Sequence, residues 1–356
     1  MSGLRVAVIG VGALGRHHAR ILSTLEGVKL TAVVDSHAER GTAVAEQCGC
    51  RWVADYRELV GEVDAVSVVV PTGAHREVGG FFLERGIPVL VEKPLACNDA
   101  EGIELVHLAA EHGVTLQVGH IERFNPAFVA AAPWLVDPKY IRAERTSPYT
   151  FRSTDIGVTL DLMIHDIDLV LSLVRSPLQS ASAFGAGLMG GHEDAVQARL
   201  VFENGAIADL TASRVSPVVS RSLQAWSASG CVTVDLHKRE VSRFVPSPAL
   251  RHGPSPLELS RQPGADIEQL KKDVFGRFIQ VEGVTVPASD ALTAELQDFV
   301  HAVQTGGSPL VDGRQALAAL QVAQAVQESL ATHRWDAAHT GIATPRPANT
   351  VHRKAG

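Results

Sequence analysis

The chain is expected to be an α/β protein with two domains: a doubly wound parallel sheet at the N-terminal end, then an α+β domain whose sheet is largely antiparallel. Three observations predict this. Between Leu4 and Ile121, short runs rich in Val, Ile and Leu alternate with helix-length amphipathic stretches, as parallel strands do when helices cover both faces of their sheet. The first run leads directly into the glycines of Gly10-Val11-Gly12-Ala13-Leu14-Gly15. Beyond Phe124 the apolar residues alternate instead, and Asn204-Gly205 separates two such stretches. That pair is a hairpin signal, because a two-residue turn of this kind needs positive φ at both positions.

The expected strands of the first domain are Arg5 to Ile9, Leu30 to Val34, Ala65 to Val70, Val89 to Val91 and Thr115 to Val118. Its expected helices are Arg16 to Leu25, Glu39 to Cys48, His75 to Arg85 and Asp99 to His112. Gly86 and Gly113 stand where a glycine ends a helix. In the second domain a helix is expected over Asp161 to Leu173, strands over Val196 to Phe202 and Ala206 to Ala212, and helices over Ala294 to Gln304 and Arg314 to Leu330. Residues 246–264, rich in Pro, Ser and Arg, read as a loop, and 340–356, with Pro345, Pro347 and a basic end, read as a disordered tail. The domain bounds are then 1–122 and 123–339.

Two domains also suit 356 residues, since a single core stops growing beyond about 250–300 residues. With 46% hydrophobic and 20% charged residues the composition is that of a globular chain. A net charge of −7 gives no general attraction to nucleic acid or to an anionic membrane, which leaves small-molecule chemistry. The apolar run from Leu4 to Leu14 is broken by glycines and far too short for a span, and no cleavage site follows a basic segment, so a cytoplasmic location is expected. Among Cys48, Cys50, Cys97 and Cys231, the Cys48-Gly49-Cys50 pair lacks the second pair that a zinc site needs. Reduced thiols and no metal are expected.

The Gly-x-Gly-x-x-Gly pattern follows a strand and opens a helix, which is the context a dinucleotide-binding (Rossmann) turn requires. Gly10 permits the tight turn, Gly12 lets backbone amides near Ala13 and Leu14 approach a pyrophosphate, Gly15 allows close helix packing, and the helix N-terminus favours the anion. Asp35 ends the second strand, where a carboxylate accepts hydrogen bonds from the adenosine ribose. No arginine immediately follows it to await a 2′-phosphate, so the expected cofactor is NAD. The third strand runs into Pro71-Thr72, with His75 one turn on. Two readings stand for this stretch: Thr72 and His75 line the ribose or nicotinamide, or Pro71 and Thr72 form an ordinary turn and cap.

Val91-Glu92-Lys93-Pro94 closes another strand at the same edge, and Pro94 imposes an irregular, even cis, backbone there. Lys93 then faces the cleft, and Glu92 and Lys93 join the expected cofactor contacts. Asp161 and His165 lie four apart, one helical turn, so their side chains point the same way.

With the glycine fingerprint, the Glu92-Lys93-Pro94 tripeptide and the Asp161/His165 spacing, the chain resembles the family of glucose–fructose oxidoreductase and inositol dehydrogenase (Gfo/Idh/MocA) from Leu4 to about Leu330. The resemblance implies an NAD-dependent dehydrogenase with the lysine beside the reacting carbon and the aspartate and histidine contributed by the second domain. In place of the glycine run of many relatives only Gly157 precedes Asp161, and Met163 replaces a glycine; this departure touches the substrate pocket. The stretch Gly119 to Pro126, with Asp155-Ile156-Gly157, Leu160 to Asp168 and Thr211-Ala212-Ser213-Arg214, is similar to members that oxidise UDP-N-acetylglucosamine at carbon 3 on the route to a lipid A amino sugar.

Arg123, Asn125 and Arg214 are candidates to bind the diphosphate or sugar hydroxyls through charge-assisted hydrogen bonds. Salt bridges and an Asn-Pro turn explain them equally well. Lys93 and His165 are both assigned to proton transfer, and Asp161 to orienting them and a sugar hydroxyl. A polyol dehydrogenase and a non-catalytic NAD-sensing regulator are the rival functions. A homo-oligomer, dimer or tetramer, is expected.

Overall fold

The computed structural model describes residues 3–151, 153–189 and 191–332; the expected tail at 340–356 lies outside them. The chain divides into two compact units, one formed by residues 1–124 and 289–325, the other by 125–288 and 326–356.

In the first unit, the strands are β1 (Leu4–Ile9), β2 (Val28–Val34), β3 (Arg51–Val53), β4 (Ala65–Val68), β5 (Val89–Glu92) and β6 (Leu116–Gly119). They form one sheet in the order β3-β2-β1-β4-β5-β6, and every pairing is parallel. Strands β4, β5 and β6 are buried throughout, which is why they are rich in Val and Leu rather than alternating. Helices α1 (Gly15–Leu22), α2 (Ala38–Cys48), α3 (His75–Leu83) and α4 (Asp99–Glu111) connect them. Strand β3, only three residues long, escaped the sequence analysis because so short a run carries no periodicity. The order reverses between β1 and β4, and at such a switch point the carboxyl ends of neighbouring strands leave a crevice for a ligand.

In the second unit, α5 (Pro126–Ala131) is followed by β7 (Tyr140–Thr146), then by a π-helical turn (Thr159–Met163) that runs into α6 (Ile164–Val174). The remaining strands are β8 (Leu178–Ala186), β9 (Ala195–Phe202), β10 (Ile207–Ser213), β11 (Ser220–Ser227), β12 (Gly230–Asp235), β13 (Glu240–Pro246) and β14 (Ile279–Val284). They form an eight-stranded sheet in the order β14-β13-β12-β11-β7-β10-β9-β8. Only the central β7–β10 pair is parallel, and the others run antiparallel. Burial alternates along β9 and β10, so Val196, Ala198 and Leu200 face Ala212, Leu210 and Ala208 across the ladder. A buried ion pair, Arg145 Nη2 to Asp166 Oδ1 at 2.7 Å, ties β7 to α6.

Three expectations change. At the hairpin only Gly205 takes positive φ, 80°, and Phe202 N donates to Ala206 O at 2.9 Å. The loop is therefore three residues long with glycine at the left-handed position, the next commonest hairpin geometry. Residues 246–264 hold the short helices α7 (Pro248–His252) and α8 (Pro256–Ser260). Each starts at a Ser-Pro pair, and Ser255 forms a reciprocal capping box with Glu258, so the serines and prolines that read as loop are caps and first-turn residues. Helix α9 (Ile267–Asp273) follows.

The third change concerns α10 (Ala291–Thr305) and most of α11 (Gly313–Thr332), which belong to the first unit rather than to a contiguous second domain. The reason is the apolar face of α10: Leu292, Leu296, Phe299 and Val300 complete the core under β1, β2 and α1.

Helix α10 also brings Glu295 into that interior. The side chain is fully buried and neither carboxyl oxygen has a hydrogen-bond partner. Burial pushes its pKa well above the ordinary value, and the charges of Glu92 and Asp298 act in the same direction. A carboxyl whose folded pKa is raised contributes stability that is complete below the ordinary carboxyl range and is lost as pH rises through the folded value. Glu295→Gln keeps the shape without the titrating proton. It is expected to flatten the fall in unfolding free energy above about pH 5, read from urea midpoints at several pH values. An unchanged slope would mean that the carboxyl ionises as readily folded as unfolded.

Candidate active site

The first unit carries the expected cofactor residues at the carboxyl ends of β1, β2, β4 and β5. Gly10 has φ of 87°, and its amide donates to Val34 O at 2.8 Å, which locks the turn to β2. A side chain at Gly15 would collide with the Gly10 carbonyl, whereas the space above Gly12 is open. Ala13 is exposed, and Leu14 is half-buried against the core. Leu14, the residue before α1, offers no side-chain cap, and the first turn holds no acidic residue. An open glycine, an uncapped helix start and a nearby carboxylate are what a dinucleotide needs, so these residues fit NAD.

That carboxylate, Asp35, is buried and heavily bonded. Its Oδ1 accepts from His37 N at 2.8 Å and Arg40 Nη2 at 2.6 Å, and its Oδ2 from Val11 N at 3.1 Å and Arg40 Nε at 2.8 Å. Burial pushes the Asp35 carboxyl up, but the bonds from Arg40, His37 and Val11 together hold it below the ordinary value. Arg40, which the sequence analysis missed, sits in the first turn of α2, five residues beyond Asp35. A ribose hydroxyl that bonds Asp35 must displace one of its contacts.

Thr72 is buried at the start of a 3-10 turn (Thr72–Ala74), next to exposed Pro71. The N-cap positions of that turn and of α3 fall on Pro71 and Ala74, so Thr72 occupies neither. His75 is corrected: it is 1% exposed, with Nδ1 2.9 Å from Pro94 O and Nε2 3.0 Å from Val70 O. Both ring nitrogens face backbone carbonyls, joining the end of β4 to the turn after β5. Burial pushes the His75 pKa down, against the pull of those carbonyls. The Lys93–Pro94 peptide is cis, as the irregular backbone led one to expect. Lys93 is half-buried just beyond β5, and its amide donates to Glu92 Oε2 at 3.2 Å.

In the second unit Asp161 lies in the π-helical turn and His165 in the first turn of α6, both half-buried. The expected helix is thus there, with a wider first turn, a feature that recurs at functional sites. The segment leading into it is held by its own chain. Thr159 N donates to Glu193 Oε1 at 3.2 Å, and a side chain at Gly157 would collide with the Glu193 carboxylate. The glycine before Asp161 is required by that packing.

Arg214 takes the same structural part, which corrects its reading as a substrate ligand. It is 5% exposed. Its Nε donates to Asp194 Oδ1 at 2.8 Å, and its Nη1 to Ser153 O at 3.2 Å and Ile156 O at 2.8 Å. Asn125 follows the turn reading: Oδ1 caps α5 by accepting from Ala127 N at 3.0 Å, and Nδ2 donates to Leu236 O at 3.1 Å. Arg123 is half-buried in a 3-10 turn (Ile121–Phe124). Among the described residues, no helix is long and apolar enough to cross a membrane.

Comparison with known proteins identifies the family. Residues 4–120 match the oxidoreductase family with an NAD-binding Rossmann fold, residues 127–230 the GFO/IDH/MocA C-terminal domain and residues 249–337 the C-terminal alpha/beta domain of the oxidoreductase family. The chain is 33% identical over 336 residues to the UDP-N-acetylglucosamine 3-dehydrogenase of Acidithiobacillus ferrooxidans, covering 93% of this chain and 99% of the relative. It is 29% identical over 345 residues to the scyllo-inositol 2-dehydrogenase (NAD(+)) of Bacillus subtilis, covering 92% and 94%. A solved structure of the Acidithiobacillus ferrooxidans enzyme superposes with a TM-score of 0.81 at 31% identity, covering 93% of this chain and 99% of that one. The protein belongs to the Gfo/Idh/MocA oxidoreductase family, and its cofactor is NAD.

Proposed function

We propose that the protein is an NAD-dependent dehydrogenase that oxidises carbon 3 of UDP-N-acetylglucosamine to the 3-oxo sugar. The observation that carries this reading is the 33% identity, over nearly the full length of both chains, to a dehydrogenase of that name. The lysine just beyond β5, at the carboxyl edge of the same parallel sheet as the glycine turn, supports it. A 3-oxo sugar is what a transamination would consume on the way to a lipid A 3-amino sugar. The inositol-type relative supports the rival, oxidation of a free polyol.

In this reaction the hydroxyl proton and a hydride leave the same carbon, and bound NAD supplies the hydride acceptor. Lys93 or His165 takes the proton. Asp161 orients the base and accepts a hydrogen bond from a sugar hydroxyl. Asp35 selects the cofactor through the ribose hydroxyls, and its charge disfavours a 2′-phosphate.

The test is mass spectrometry of products after incubation with NAD and a panel of UDP-hexosamines and polyols. A product of UDP-N-acetylglucosamine lacking two hydrogens is expected, with label appearing in the reduced cofactor when carbon 3 carries deuterium. Oxidation of inositol with no response to any UDP-sugar would overturn the proposal. For the cofactor, Asp35→Ser is expected to weaken NAD binding about ten- to a hundredfold, since hydrogen bonds to a charged group contribute about 1.5–3 kcal/mol. Adding Ser36→Arg should admit NADP. Fluorescence titration reads both, and equal affinity of the unaltered protein for the two cofactors would contradict the assignment.

A further inference from the structure

His18, on α1, carries no role so far and is fully buried. Its Nδ1 is hydrogen-bonded to Ser67 Oγ on β4 at 2.9 Å, and its Nε2 stands at ion-pair distance, 3.2 Å, from Glu92 Oε1 at the end of β5, without hydrogen-bond alignment. The other Glu92 oxygen receives the Lys93 amide at 3.2 Å. On β6, a side chain at Gly119 would stand 2.8–2.9 Å from the Glu92 carboxylate, so the strand closes over that group with no room to spare. The carboxylate is thus boxed by His18, the Lys93 amide and the Gly119 backbone. Burial pushes the Glu92 carboxyl up, but His18, then the charge of Lys93, hold it below the ordinary value. The charge of Glu92 is in turn one of the causes that raise the pKa of Glu295.

We propose that His18 is a positioning residue for Lys93: through Nε2 it fixes the Glu92 carboxylate, which in turn pins the backbone from which the lysine projects. This rests on the reading of Lys93 as a proton-transfer residue. The chemistry makes the two ring nitrogens separable. Ser67 anchors Nδ1 from below, and Glu92 transmits the orientation from Nε2. The amide of an asparagine reaches the Nδ1 position and that of a glutamine the Nε2 position, so each variant keeps one contact and loses the other.

The experiment compares His18→Asn, His18→Gln and Lys93→Met in the full chain, measuring kcat, KM, the pH dependence of kcat/KM, NAD affinity and melting temperature. His18→Asn is expected to lower kcat about ten- to a hundredfold, the effect of misplacing a reacting group by about an ångström. It should shift the pH profile and leave the Kd for NAD within about twofold of native. His18→Gln should restore most of the turnover at a similar melting temperature. Equal kcat in the two His18 variants, or a loss matched by lost NAD affinity, overturns the proposal. Full turnover in Lys93→Met would strike the reading it rests on, whereas a low Lys93→Met rate with identical His18 variants strikes His18 alone. Should a His18 variant fail to fold, Glu92→Gln replaces it. It must lower kcat, and normal kcat there overturns the proposal equally.

Discussion

Lys93→Met and His165→Ala are each expected to lower turnover by about a hundredfold to ten-thousandfold, the usual contribution of a general acid or base, while NAD affinity stays near native. Neither side chain belongs to the glycine turn or to the Asp35 cluster, so an NAD titration separates a proton-transfer role for Lys93 from the cofactor contact also expected of it. The effects should not add. Residues that serve one proton transfer act as a unit, and the double substitution should be little worse than the worse single one. Steady-state kinetics with parallel NAD titrations check this. If Lys93→Met loses NAD affinity in proportion to activity, Lys93 serves the cofactor and proton transfer passes to His165.

The largest effect on stability is expected at Arg214. Asp194 is 0% exposed and Arg214 5%. Asp194 Oδ2 also accepts from Leu188 N and Met189 N, each at 2.7 Å. Burial pushes the Asp194 carboxyl up, but these amides and the Arg214 guanidinium hold it below its ordinary value. Arg214→Met removes the cation and strands the carboxylate, and breaking a buried pair from one side costs about 3–5 kcal/mol. The midpoint of urea unfolding should fall accordingly.

The pH dependence has a definite sign. An aspartate with a depressed folded pKa contributes stability above the ordinary carboxylate range and loses it as pH falls through the folded value. The gap between native and variant should therefore be full at neutral pH and narrow in acid. A variant of native stability with a raised KM for the sugar would return Arg214 to the substrate.

These two expectations differ in how far the residues alone could lead to them. The glycine turn, Asp35 at the end of β2, and Lys93 at the end of β5 were legible because each depends on a strand and the turn that follows it. Strand periodicity, glycine spacing and the proline after Lys93 are local, and they determine which backbone atoms and side chains reach the carboxyl edge of a parallel sheet. The alternating strands of the second sheet were legible for the same reason.

What the tertiary structure decided is which polar group each candidate meets. Arg214 and Asn125 looked available for a ligand because sequence shows charge and amide but not the carbonyls already claiming them. His75 looked like a ligand contact until Val70 and Pro94 closed on its two nitrogens. The partners of His18 and Gln117 lie far along the chain: His18 and Ser67 are 49 residues apart, and Gln117 bonds the backbone of Glu295 across 178. No window of sequence contains both members of such a pair. Burial forces them together, because a polar group taken out of water must find its hydrogen-bond partner wherever the fold supplies one.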